Sequence, residues 1–151
     1  MTKEELHVVN FISRNISFEQ QRLERLKDWA ERITLDIVGL PQDNGYVQSR
    51  IEELTAQIID CERNLEQLIL LRAEARAELV KQIDSALTDN YQKTVLIEHY
   101  GFGERYETIA DKLHFTSTQI FKLHKNGLKA LGIEMFSDCS VTIHLQNGTD
   151  Q

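Results

Sequence analysis

Residues 106–131 read YETIADKLHFTSTQIFKLHKNGLKAL, and this stretch decides how the C-terminal half of the chain is expected to fold. The segment Tyr106–Leu113 predicts a short helix that ends in a turn at His114, where a glycine is common in such motifs. Thr116 is a good N-cap for a second helix over Ser117–Leu131. Helices that cross within so short a turn bury apolar groups around one small residue. The stretch supplies Ala110 as the small residue and five apolar ones, which are Ile109, Leu113, Phe115, Ile120 and Leu123.

A further helix is expected immediately before this pair. Thr88-Asp89 is a good helix start, and Gly101-Phe102-Gly103 ends the helix predicted over Asn90–Tyr100. Together the three helices form a predicted helix-turn-helix module over residues 88–133, with a helical hairpin that does not bind DNA as the alternative.

Upstream of this module, apolar residues alternate at spacings of three and four in two long segments. The first segment runs from Val9 to Ile37 and the second from Ile51 to Ile83. This heptad spacing predicts two amphipathic helices. The only proline and two glycines lie between them, at residues 39–45, where a helix stops and the chain reverses. We therefore expect an all-α protein in which a long antiparallel coiled-coil hairpin, residues 1–87, precedes the small module.

The apolar faces of the two long helices are wider than one seam between two helices. Phe11, Phe18 and Trp29 lie beside the first stripe, while Leu70 and Leu71 lie beside the second. Such faces need a further cover. The cover is either the hairpin of a second copy or the C-terminal module folding back. On the first alternative we expect a homodimer, with an oligomerisation face formed by Ile51, Leu54, Ile58, Leu65 and Leu68.

The net charge of −7 opposes nucleic-acid binding unless positive charge is concentrated locally. Residues 88–133 carry six basic against five acidic side chains, and acidic residues outnumber basic ones in the rest of the chain. Between Ser117 and Leu131 the only charged residues are Lys122, Lys125 and Lys129. The second helix of the motif is therefore the expected basic surface, with a merely solvated face as the alternative.

The outward side of this helix is the predicted DNA-contact surface. Ser117 and Thr118 lie at the end that enters the major groove in such motifs, and Gln119 can bind adenine when it is turned outward. Phe121 packs on a thymine methyl or lies in the core, and both alternatives stay open. The lysines are expected to contact phosphates. The full predicted set is Thr116, Ser117, Thr118, Gln119, Phe121, Lys122, Lys125 and Lys129.

No pattern of catalytic or metal-binding residues occurs. The five histidines are scattered without metal-ligand spacing, and there is no glycine-rich phosphate loop. We expect no enzyme activity, no metal site and no cofactor. Apolar runs of about five residues are too short to cross a bilayer, so we expect a cytoplasmic protein without a membrane partner. In the tail, residues 134–151, Ser140–Leu145 alternates apolar and polar residues, which predicts a strand, with a disordered tail as the alternative.

Two resemblances extend this interpretation. The segment LTDNYQKTVLIEHYGFGERYETIADKLHFTSTQIFKLHKNGLKAL, Leu87–Leu131, resembles region 4 of bacterial sigma factors. Residues 14–133, including RITLDIVGLPQDNGYVQSRIEELTAQIIDCERNLEQLI, resemble short streptococcal and phage proteins related to the RinA and ArpU late-gene activators. The resemblance implies a transcription regulator of phage or mobile-element origin that binds double-stranded DNA. The alternatives are an adaptor that binds RNA polymerase and the small terminase subunit of a phage packaging motor.

Overall fold

The computed structural model describes residues 1–37 and 44–133, and every regular element within these two ranges is a helix. The long helices are α1, Lys3–Ile37, and α2, Asn44–Ala86. Three short helices follow: α3, Asn90–Leu96, α4, Tyr106–Leu113, and α5, Ser117–Ala130. The predicted all-α fold with a long helical hairpin is thereby confirmed. The predicted strand at Ser140–Leu145 lies outside the described residues.

No helix within the described ranges is long and apolar enough to span a membrane. The chain divides into two compact units. One, the hairpin unit, runs from Phe11 to Glu74. The other, the module unit, joins Met1–Asn10 to the chain from Ala75 onward. This division falls inside α1 and α2, whereas the sequence suggested a boundary after residue 87.

The hairpin unit is held together by an apolar seam between α1 and α2. Leu26 of α1 and Leu54 and Cys61 of α2 are buried in it. The contact of Glu19 with Cys61 and that of Trp29 with Arg50 show that the helices run in opposite directions. In both segments the apolar residues are spaced by three and four residues, and antiparallel packing of two helices along such a stripe explains why this spacing predicted the hairpin.

Glu19 is the one charged residue that interrupts the apolar stripe of α1, and its oxygens accept hydrogen bonds from Cys61 of α2. The Cys61 thiol donates to the backbone carbonyl of Glu19 at 3.3 Å and to its carboxylate Oε2 at 3.2 Å. Burial raises the pKa of the thiol, and the hydrogen bond to Glu19 raises it further. The thiol therefore stays protonated at neutral pH and can donate to the Glu19 oxygens, while Arg22 Nη1 lies 3.8 Å from Glu19 Oε1.

Of the residues predicted for oligomerisation, Leu54 and Ile58 pack in this seam. Leu54 and Leu65 are 2% and 8% exposed within one chain, and Ile51, Ile58 and Leu68 are partly buried. The side chains left open on the same unit are different ones. Large apolar side chains more than two-fifths exposed there are Phe11, Phe18, Trp29, Tyr46, Ile59, Ile69, Leu70 and Leu71.

The module unit has a core of its own to which the first residues of the chain contribute. Leu6 and Val9 pack in one cluster with Leu79 and Ile83 of α2 and with Leu96 of α3. The cluster also takes in the end of α5. Fully apolar burial of this kind favours folding by about 25 cal/mol for each Å² removed from water, so the N-terminal residues stabilise the module unit.

Asp89 begins α3 as the sequence predicted, since its carboxylate accepts the Tyr91 backbone N–H at 2.9 Å. The predicted α-helix to Tyr100 is interrupted, however. After Leu96 the chain continues as a π-helical turn, Ile97–Gly101. The Arg76 side chain donates through Nε to the Gly101 carbonyl at 2.7 Å, which satisfies an oxygen at the helix end.

Candidate nucleic-acid interface

Helices α4 and α5 cross over a small apolar cluster. Ile109, Ala110 and Ile120 are buried there together with Val95 of α3. The partly buried side chains that surround them are Tyr106, Leu113, Phe115 and Leu123. All six residues predicted for the crossing lie in this cluster, which confirms the predicted packing of the pair. Because the apolar side of α5 is used here, its other side is left to face solvent.

The turn between α4 and α5 closes with a left-handed residue. His114 has φ 58° and ψ 40°, the conformation that glycine adopts most easily. The Phe115 N–H donates to the Ala110 carbonyl at 2.9 Å, and the His114 N–H donates to that of Asp111 at 3.4 Å. This pair of bonds is a Schellman motif. The chain therefore turns where the sequence predicted, and histidine adopts the left-handed backbone conformation at the position where glycine is common.

Thr116 caps α5 through a reciprocal pair of hydrogen bonds. Its Oγ1 accepts the Gln119 N–H at 3.3 Å, and Gln119 Oε1 accepts the Thr116 N–H at 2.9 Å. This capping box satisfies two amides at the start of the helix. Gln119 is exposed, but its amide oxygen serves the cap, so an adenine contact has to share that oxygen with Thr116.

The eight predicted contact residues lie together on the solvent side of the cap and of α5. Each of them is exposed: Thr116, Ser117, Thr118, Gln119, Phe121, Lys122, Lys125 and Lys129. The buried residues of the helix are Ile120, Gly127 and Leu128. The remaining exposed positions of α5 are uncharged, so the charge on this surface is entirely positive.

Phe121 is not a buried core residue of the module unit. It is 52% exposed, and its ring lies 5.0 Å from that of Tyr106. One side of the ring is therefore covered by α4 while the other side faces solvent. An aromatic ring held in this way loses little conformational freedom on binding, which suits it to an apolar contact with a ligand.

Gly127 allows α5 to approach α3 closely. A Cβ at this position would lie 2.9 Å from Leu96 Cδ1 and 3.2 Å from Leu96 Cγ. Leu96 is fully buried and has little room to move away. The contact fixes α5 against the rest of the module unit from the side opposite to the lysines.

A polar aromatic cluster, which the sequence did not predict, ties α5 to the preceding elements. His124 Nε2 lies 2.7 Å from the Tyr100 hydroxyl and 3.2 Å from the Tyr106 hydroxyl. His99 stacks on the Tyr106 ring at 4.2 Å and binds the Glu104 carbonyl through Nδ1 at 2.9 Å. No sequence spacing marks these residues, because the four come from three elements that only tertiary packing brings together.

Burial is the main cause that lowers the pKa of His124 to about 4, and the neighbouring His99 contributes to this shift as a like charge. Burial also raises the pKa of Tyr100, with Tyr106 adding to the effect. At neutral pH the imidazole is therefore neutral and both phenols are protonated. A neutral Nε2 without a hydrogen is an acceptor for a tyrosine hydroxyl, so the cluster is a stabilising hydrogen-bond network.

Among residues 1–37 and 44–133, no three histidine, cysteine or carboxylate side chains form a group that could hold a metal ion. Comparisons with known proteins found no relative, because no family model, no curated protein and no solved structure matches the chain.

Proposed function

We propose that the chain is a sequence-specific regulator of transcription, of phage or mobile-element origin, that binds double-stranded DNA with α5. The observation that carries this proposal is the composition of the exposed side of α5. Lys122, Lys125 and Lys129 stand there without a carboxylate on the same helix, although the whole chain has a charge of −7. Phosphate contact needs such a local excess of positive charge.

The packing of α4 and α5 supports the same proposal. A helix that enters the major groove needs one free side, a rigid support and an N-terminal end that is open to base edges. Ser117 and Thr118 are exposed at that end, next to the Thr116 cap. The close approach of Gly127 to Leu96 and the hydrogen bonds of His124 supply the support.

Two lysines elsewhere in the module unit lie close to carboxylates. Lys112 lies 3.4 Å from Glu98 and 3.6 Å from Glu104, and Lys93 lies 3.9 Å from Asp84. Their charges are partly neutralised by these carboxylates. We assign the phosphate contacts to α5, whose own sequence contains no acidic residue, and not to α3 or α4.

The test is binding to DNA duplexes selected by the purified protein from a random-sequence pool, titrated at several salt concentrations. Lys122→Ala and Lys125→Ala are each expected to weaken binding to all duplexes about equally. Each substitution should also lower the slope of log affinity against log salt by about one, because one phosphate contact is lost.

Lys81→Ala is the matched control, since Lys81 is an exposed lysine of α2. Its affinity and salt slope should equal those of the wild type. If both α5 variants also bind as the wild type does, α5 is not the DNA contact and the RNA polymerase adaptor becomes the favoured function. A selection that enriches no sequence above the starting pool contradicts sequence-specific binding.

A further inference from the structure

One line of exposed side chains runs along α1 in the hairpin unit. Phe11, Phe18 and Trp29 are 59%, 66% and 48% exposed. Their spacings of seven and eleven residues bring them within about 20° of each other around the helix, on a line about 27 Å long. Arg22 and Arg25 follow Phe18 by four and seven residues and therefore border this aromatic line; both are exposed.

A second line with the same two spacings runs along α2. It consists of Glu53, Asp60 and Leu71, which also fall within about 20° of each other. All three are exposed, and Leu71 is 49% exposed. This acidic line thus carries negative charge and one apolar side chain, whereas the aromatic line carries apolar rings bordered by positive charge.

Two contacts place the aromatic line and the acidic line on the same flank of the hairpin. The Arg50 guanidinium lies 5.0 Å over the Trp29 ring, and its Nη1 is 3.4 Å from Glu53 Oε2. Arg50 therefore bridges from a residue of one line to a residue of the other. The antiparallel direction of the helices then places Phe11 toward the end of the flank at which Leu71 lies.

We propose that this flank is the contact surface for a second copy of the chain, with α1 of each copy lying on α2 of the other. An interface with two-fold symmetry uses the same surface twice, so the surface has to be complementary to itself. Packing α1 on α2 brings Arg22 and Arg25 toward the carboxylates of the acidic line. Packing like helices together brings arginine to arginine and carboxylate to carboxylate, which is unfavourable.

The exposed rings are what makes such contact favourable. Aromatic side chains bury about 150 to 250 Å² each in a core or an interface, and exposed apolar patches of this kind mark sites of protein association. Leu54 and Leu65 cannot serve this purpose, since they are already covered within one chain. The inference does not depend on DNA binding, and its experiment contains no DNA.

The experiment measures the mass of the full chain in solution by sedimentation over a range of concentrations. The wild type is expected to have the mass of two chains. Phe11→Gln combined with Phe18→Gln should raise the dissociation constant about a hundredfold or more, because four rings lose their burial per dimer. Ile69→Gln is the matched control, since Ile69 is 44% exposed on α2 and lies about 160° around the helix from Leu71, and it should keep the wild-type mass.

A charge exchange tests the pairing of helices and stays informative if the glutamine variant fails to fold. Arg22→Glu with Arg25→Glu should weaken association, and adding Glu53→Lys and Asp60→Lys to the same chain should restore it. A wild-type chain that is monomeric at all concentrations, or a mass above two chains, overturns the proposal. So does a folded glutamine variant that associates as the wild type does, or a charge exchange that does not restore association.

Discussion

The Tyr100 hydroxyl and His124 Nε2 lie 2.7 Å apart, and this contact joins α5 to the π-helical turn before α4. Tyr100 is only 1% exposed, so its hydroxyl has lost almost all contact with water and depends on this partner. A buried polar group without its hydrogen bond costs about 1 to 3 kcal/mol. The position of α5 is therefore coupled to a hydrogen bond that lies beneath its exposed surface.

Tyr100→Phe removes the hydroxyl and keeps the ring. We expect the free energy of unfolding to fall by about 1 to 2 kcal/mol, since His124 loses its shorter bond. Chemical denaturation followed by far-UV circular dichroism measures this change. Tyr91→Phe is the control, because Tyr91 is 54% exposed and packs on Phe115 through its ring; its stability should change by less than about 0.5 kcal/mol. Equal losses in the free energy of unfolding of the two variants would show that the buried hydrogen bond does not stabilise the protein more than an exposed hydroxyl does.

Stability is expected to depend on pH through His124. Its pKa of about 4 in the folded protein lies below the ordinary 6.5, so the unfolded chain binds more protons between these two values. The contribution of the neutral ring is therefore complete above pH 6.5 and is lost as the pH falls from 6.5 toward 4. Between pH 7.5 and pH 5 the loss should be about 1 to 2 kcal/mol, after allowance for partial exposure of the ring.

Denaturation of the wild type and of His124→Gln at both pH values isolates this contribution from that of the carboxylates, which titrate in both proteins. The variant is expected to be less stable at pH 7.5 but to lose less on acidification. The groups that face His124 are His99, Tyr100 and Tyr106, and both tyrosines stay protonated throughout the window. A variant that loses as much as the wild type between the two pH values contradicts the assignment.

Glycine is expected to be better than histidine at position 114. A side chain in the left-handed conformation costs about 1 kcal/mol or more, and glycine avoids this cost at some expense in chain entropy. His114→Gly should therefore raise the free energy of unfolding by about 0.5 to 1 kcal/mol, measured by thermal or chemical denaturation. The Schellman hydrogen bonds from His114 and Phe115 are made by the backbone, so the substitution leaves them in place.

Gly132 offers the reverse experiment at the end of α5. It has φ 78°, and nothing lies within 4 Å of the place that a Cβ would take. Gly132→Ala should thus cost about 1 kcal/mol through backbone conformation alone. Changes of the same sign in Gly132→Ala and His114→Gly would mean that backbone conformation does not decide stability at these turns.

The helices and their caps could be predicted from the sequence because their signals are local. Asp89 and Thr116 accept hydrogen bonds from amides two or three residues away, and the heptad spacing of α1 and α2 is visible along each segment. The apolar crossing at Ala110 was predictable for the same reason, since α4 and α5 are neighbours in the chain.

The remaining features depend on contacts that no local pattern marks. The bond from Tyr100 to His124 joins residues 24 positions apart, and the π-helical turn that carries Tyr100 has no sequence signature. The heptad spacing placed Leu65 in the apolar stripe and Leu70 beside it, but it did not show whether the same chain or a second copy covers Leu65. In the structure Leu65 is 8% exposed within one chain, against 65% for Leu70.

The last prediction separates affinity from specificity along α5. Ser117 and Thr118 lie at the exposed N-terminal end, where hydroxyls reach base edges, whereas Lys122 and Lys125 lie further along the helix. Ser117→Ala and Thr118→Ala should change which duplexes are enriched from a random pool, with a loss of about 1 to 3 kcal/mol on the preferred site. Binding to unrelated duplexes and its salt slope should change little, because neither residue carries charge. Since the Thr116 cap is intact in both variants, α5 should keep its stability. Selection and titration of both variants beside Lys122→Ala measure these quantities, and an unchanged preferred site with a uniform loss of affinity would place the base contacts elsewhere.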